Sequence, residues 1–103
     1  MLFQISPTEL EEVILKCPGV EAVCVLGIPI ELNELIGALI VKVKGSLLTE
    51  KEIYDFVASQ VIDYKNLRGG IYFVDKLPMT LTGKLLRRKA REIAIEFYSR
   101  VKQ

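Results

Sequence analysis

Histidine is absent from this sequence, and so is tryptophan. Without an imidazole the chain cannot assemble a Ser-His-Asp triad, a Cys-His pair or a histidine-bearing zinc site from its own residues. Its two cysteines, Cys17 and Cys24, match no metal or redox spacing, and nothing in their placement indicates a disulfide. Cys24 lies in an apolar run and reads as a small core residue, whereas Cys17, beside Pro18, reads as a bystander. No run approaches the roughly 18 apolar residues of a membrane span, and no basic-then-apolar leader opens the chain. The expectation is a soluble domain of intracellular type.

The length of 103 residues sets a single domain, 1–103. Half of the residues are apolar and 26% are charged, which separates the chain from disordered compositions. At this size folding buries roughly 65% of the surface the unfolded chain exposes, so the core is real but small. The net charge of +1 conceals an asymmetry. Residues 1–52 carry eight acids against four bases, and residues 53–103 carry five against ten. Lys84, Arg87, Arg88, Lys89 and Arg91 fall within eight residues that contain no acid. Such a cluster is either a solvated helix face or a surface for an anionic partner.

The order of elements reads α-β-β-α-β-α. Ser6-Pro7-Thr8-Glu9 opens the first helix with a cap, a proline at the first helical position and a glutamate placed to close a capping box. Leu10, Val13 and Ile14 form its apolar stripe, and Cys17-Pro18-Gly19 ends it. A strand rich in Val, Leu and Ile runs from Val20 to Ile28, where Pro29 stops it. A loop through Glu31, Asn33 and Glu34 leads to a second strand, Ile36 to Val43, which pairs antiparallel with the first. Thr49 caps a second helix with core positions at Ile53, Phe56, Val57 and Val61. After Gly69-Gly70 comes a short strand, Ile71 to Val74. The last helix starts after Thr82-Gly83 and runs to the end, with Leu86, Ala90, Ile93, Phe97 and Val101 as its stripe. The fold class is α+β: a small sheet of about three strands with flanking helices.

The informative stretch is Pro78-Met79-Thr80-Leu81-Thr82-Gly83-Lys84-Leu85-Leu86-Arg87. A glycine before a lysine lets the backbone turn tightly and leaves a mobile ammonium to aim at phosphate or carboxylate oxygens. The pattern is not a nucleotide-binding P-loop, which needs a glycine at Pro78 and a Ser or Thr at Leu85. On pattern physics alone it is also compatible with a turn and a solvated helix start.

The stretch resembles the C-terminal signature of the adenylate-forming superfamily, which includes acyl-CoA synthetases, 4-coumarate-CoA ligases and beetle luciferases. Pro78, Thr80, Thr82, Gly83, Lys84 and Arg87 fit that signature. Ile5 to Glu11, Pro18-Gly19-Val20, Gly27-Ile28-Pro29, Glu34, Tyr64-Lys65, Leu67 and Gly69 to Asp75 follow in family order, so the likeness spans essentially the whole chain. It departs at Asn33-Glu34, where the family has a Gly-Glu pair, and the family's hinge residue would fall ahead of Met1.

The resemblance implies the mobile lid of a larger ATP-dependent carboxylate-CoA ligase or luciferase-like enzyme. In that scheme Lys84 is the catalytic lysine, reaching the carboxylate and the ATP α-phosphate during acyl-adenylate formation. Thr82, Gly83 and Arg87 accompany it at the nucleotide, Gly83 chiefly as a backbone requirement. Arg68, Arg88, Lys89 and Arg91 are candidates for CoA phosphates, and Tyr64 is read as a packing residue. The partner is the N-terminal adenylation domain of the same enzyme. A carboxylic acid, ATP and CoA are substrates; Mg2+ is implied for the full-length enzyme, and this chain supplies no metal ligand or cofactor. The isolated chain is expected to be inactive, and the acid it serves is set by the other domain. The expected compartment is the cytoplasm or the peroxisome, although no Ser-Lys-Leu address closes this sequence.

Two other classes compete. A stand-alone basic module would bring the last helix and Arg68-Gly69-Gly70 to nucleic acid, but one short RGG without interleaved aromatics is poor support, and no nucleic-acid partner is expected. A free domain exchanging as an interaction partner or decoy is the third reading.

Overall fold

The computed structural model describes residues 6–61 and 67–101. Tyr64, Lys65 and the residues before Ser6 named above lie outside them. The elements run α1 (Pro7–Leu15), β1 (Val20–Ile30), β2 (Asn33–Lys42), α2 (Glu50–Gln60), β3 (Gly70–Phe73) and α3 (Arg87–Val101), which is the expected order.

Local chemistry starts the first two helices. The Ser6 hydroxyl accepts from the Glu9 amide while the Glu9 carboxylate accepts from the Ser6 amide, and Thr49 and Glu52 repeat the arrangement at α2. Each box satisfies two amides that the first helical turn leaves without partners.

The sheet is mixed, in the order β1-β2-β3. β1 and β2 form an antiparallel hairpin, and β3 lies parallel to β2 with Gly37 opposite Gly70. The hairpin corrects two expectations. Pro29 does not stop β1 but pairs with Glu34 inside it, and the expected loop is a two-residue turn, Glu31-Leu32, between Ile30 and Asn33. β1 is an edge strand, where a residue without an N–H can be accommodated. Glu31 takes a positive φ of 47° to close the turn. Gly69 is required by close approach, since a Cβ there would lie 2.8 Å from the Ile36 carbonyl group. Its absence lets the Gly69 amide donate to Ile36 O at 2.8 Å and seat β3 against β2.

The sheet separates two apolar layers. On one face α1 and α2 bring Leu10, Ile14, Ile53 and Val57 onto Val23, Val25, Ala38 and Ile40. Ile14 and Ile53 are fully buried, each stabilising the fold by about 1.5–3 kcal/mol. On the other face α3 lies across Cys24, Leu26, Ile28, Leu39 and Tyr72. Here the helix buries the small residues Ala90 and Ala94, and Phe97 stacks on Tyr72 with centroids 5.2 Å apart. The expected stripe on this helix is therefore too long, because Leu86 is 39% and Val101 68% exposed. Cys17 is also corrected: it is buried in the α1–α2 layer. Cys24 is fully buried as expected, and both thiols are free.

Candidate functional site: the lysine loop and the basic helix

Residues 78–86 do not begin a helix. Met79 bridges antiparallel to Leu85, the Thr80 amide donates to Lys84 O at 2.8 Å, and the Leu86 amide donates to Pro78 O at 2.9 Å. The Gly83 amide turns back to Thr80 O at 3.0 Å, and the Thr80 hydroxyl accepts from the Lys84 amide at 2.9 Å and lies 3.0 Å from the Thr82 hydroxyl. The result is a small hairpin whose tip is Leu81-Thr82-Gly83, and α3 starts only at Arg87. The last helix was expected immediately after Gly83. Lys84-Leu85-Leu86 has good helical propensity, but the strand-like pairing with Met79 overrides it.

Gly83 makes the hairpin possible. Its φ of 87° lies in the left-handed region, and a Cβ there would meet nothing within 4 Å. The requirement is conformational rather than steric, as in three-residue hairpin loops that end on a left-handed residue. Lys84 follows it on an exposed stem. Every ion pair among the described residues is made by other groups, so the Lys84 ammonium meets no carboxylate there. Leu81 at the tip is fully exposed.

The arginines of α3 behave differently. Arg87 Nη1 lies 3.4 Å from Glu11 Oε2 and 3.5 Å from Val25 O, and the same Glu11 oxygen accepts from the Val25 amide at 2.7 Å. Arg91 donates through Nε to Gly27 O at 2.9 Å and through Nη2 to Glu34 Oε2 at 2.7 Å. Glu34 lies so close over Gly27 that a Cβ on that glycine would come within 2.2 Å of its carboxyl carbon. Two of the expected site arginines are thus tied to the outer edge of β1. Arg87 also approaches Cys24 Sγ at 4.0 Å; burial pushes that thiol pKa up while the guanidinium pulls it down.

Arg88 and Lys89 are exposed and make no ion pair among the described residues. Lys89 borders a cleft of about 630 Å3 with Asp75, Met79, Leu86 and Ile93. Arg68 borders another, of about 620 Å3, with Glu50, Tyr54 and Tyr98, toward the opposite end of α3. The four candidate CoA residues are therefore not gathered in one place. Glu11 and Glu34 are the functional neighbours that sequence reasoning did not connect to α3. The available signal was the basic first turn of that helix, Arg87-Arg88-Lys89, which carries the wrong sign for a helix N-terminus and calls for acids from elsewhere.

Among the described residues no group of three His, Cys, Asp or Glu side chains gathers to hold a metal ion, so Mg2+ is assigned to no residue here. No described helix is long and apolar enough to cross a membrane.

Fold and site together define a small α+β domain that presents an exposed lysine on a hydrogen-bonded hairpin, with open clefts rather than an enclosed pocket. The chain belongs to the AMP-binding enzyme C-terminal domain family, whose model matches residues 9–84. It is 48% identical over 92 residues to luciferin 4-monooxygenase of Luciola mingrelica, covering 88% of this chain and 17% of that protein. It is 38% identical to a probable 4-coumarate–CoA ligase of Dictyostelium discoideum, covering 88% of this chain and 17% of the ligase. Among solved structures it superposes on ATP-bound MatB from Rhodopseudomonas palustris with a TM-score of 0.82 and 29% identity, covering 93% of this chain and 19% of that one. The chain spans about a sixth of the length of the curated relatives it matches.

Proposed function

We propose that this chain is the mobile C-terminal domain of an ATP-dependent carboxylate-CoA ligase or luciferase-like enzyme, and that Lys84 is its catalytic group for acyl-adenylate formation. The observation that carries the reading is the contrast in engagement: Lys84 is exposed on a hydrogen-bonded loop and makes no ion pair among the described residues, while nearby Arg87 and Arg91 are held within the domain. As a carboxylate oxygen attacks the ATP α-phosphorus and the bond to the departing pyrophosphate breaks, negative charge grows on the phosphoryl oxygens. A positioned ammonium stabilises that transition state more than the ground state. Thr82 and Gly83 hold the loop at the nucleotide, with Arg87 at its base. The remaining substrate sites belong to the N-terminal domain, so the isolated chain is inactive. After adenylation the domain closes over CoA, for which the candidates on α3 are Arg88 and Lys89, exposed and without an ion pair among the described residues. Arg68 and Arg91 would contribute only at the margins.

The test is complementation in trans. The chain is added to the purified large domain of a luciferase or 4-coumarate–CoA ligase relative, and acyl-adenylate formation is followed with a panel of acids. The wild-type chain restores the rate, whereas a Lys84→Ala chain binds equally well and falls short by ~10², the usual cost of about 3 kcal/mol for one electrostatic donor. Equal restoration by both chains would remove Lys84 from the catalytic role. Exchange of pyrophosphate into ATP by the chain alone would overturn the assignment of the other sites.

A further inference from the structure

We propose that Glu11 is a positioning residue for Lys84, acting through Arg87; this rests on the lysine reading above. The hydrogen bonds that shape the lysine hairpin join residues 78–86 to one another, so they define its form but not its direction relative to the sheet. Leu77 and Leu85 pack on the α3-side core, a non-directional tie. The directional tie nearest to the hairpin comes one residue past it, at Arg87; Arg91 makes a second one, a turn further along α3. The Val25 amide on the edge of β1 holds the Glu11 carboxylate at 2.7 Å, and the carboxylate faces Arg87 Nη1 at 3.4 Å. The Glu11 side chain is only 15% exposed, so its charge is less screened than that of a surface acid. It is also the acid that faces the basic first turn of α3, which contains none of its own. Removing the charge leaves the guanidinium with only Val25 O at 3.5 Å, so the junction between the hairpin and α3, three residues from Lys84, shifts from its productive direction while Arg91 keeps the helix on the sheet. A small misplacement of a reacting group costs rate without costing binding.

Glu11→Gln separates charge from shape, because the amide oxygen can still accept from the Val25 amide. In the trans assay with the large domain of a 4-coumarate–CoA ligase relative, this variant is expected to slow adenylation roughly tenfold at saturating ATP and acid, with both KM values within about twofold. Transfer to CoA from preformed acyl-adenylate, and affinity for the large domain, remain within about twofold. On a Lys84→Ala background Glu11→Gln adds less than about twofold, since the group it positions is gone. Equal slowing of both half-reactions, or a full tenfold loss on the Lys84→Ala background, would overturn the proposal in favour of a general structural effect. No slowing would overturn it as well. If Lys84→Ala itself leaves adenylation intact, the lysine reading falls first. If only Lys84→Ala slows it, this inference falls alone.

Discussion

Lys84 and Arg91 are seven residues apart in sequence, yet they stand at opposite ends of engagement. Arg91 is anchored by a carbonyl and a carboxylate, and Arg87 by the Glu11–Val25 pair, whereas Lys84 projects from a hairpin and pairs with no carboxylate among the described residues. Charge density alone treats these cations as equals. Geometry sorts them into two groups. The guanidiniums fasten α3 along an edge strand that would otherwise leave peptide groups without protein partners, and the ammonium is held out. A planar fork suits the first task because it meets a carbonyl and a carboxylate together, and a compact ammonium on a flexible stem suits the second.

The contrast can be broken most strongly at Lys84. Lys84→Ala should cost ~10² in adenylation while leaving the unfolding free energy within about 0.5 kcal/mol, measured by denaturant titration, because the side chain is exposed and makes no ion pair among the described residues. Gly83→Ala should cost about 1–2 kcal/mol of stability, since alanine pays for the left-handed φ of 87° even in open space. Part of that loss would appear as slower adenylation through a reshaped hairpin. Arg91→Ala should cost about 0.5–1 kcal/mol and Arg88→Ala close to nothing, a difference thermal melts can resolve. Equal losses at the two positions would erase the distinction drawn here.

The smallest effect on adenylation is expected on the other side of the sheet and sharpens the comparison by being purely structural. The Tyr54 hydroxyl donates to Leu67 O at 2.8 Å, and burial pushes its pKa up to about 12. Because the folded state binds that proton more tightly than the unfolded state, the contribution is complete below pH ~10 and is lost as pH climbs toward 12. Tyr54→Phe should flatten stability across that window, cost about 1 kcal/mol at neutral pH, and leave adenylation unchanged.

The elements were legible where their signals are local. Ser6 with Glu9 and Thr49 with its acidic first turn marked helix starts, and the Leu10/Ile14 and Ile53/Val57 pairs marked buried faces. Errors arose where a distant partner decides. Pro29 reads as a stop unless one knows that β1 is an edge. Lys84-Leu85-Leu86 reads as helix unless Met79 lies opposite Leu85. Cys17 looks peripheral beside Pro18 until α1 and α2 close over it. At the site, the lysine was visible in its motif, but the partners of Arg87 and Arg91 sit far back in sequence and no periodicity links them. Gly27 fell in family order without a reason; the Glu34 carboxylate lying over it supplies one.

The closed hairpin has a consequence for the entropy of reaction. Its backbone is fixed when the chain folds, by its turn and its cross-hairpin hydrogen bonds, so a substrate arriving later orders none of it. What remains free is the lysine stem, whose rotamers amount to roughly 2 kcal/mol. A floppy loop of the same residues would add a backbone term of about 1–2 kcal/mol for every position held still. If Lys84 acts as proposed, side-chain torsions are nearly the only local freedom this hairpin has left to surrender.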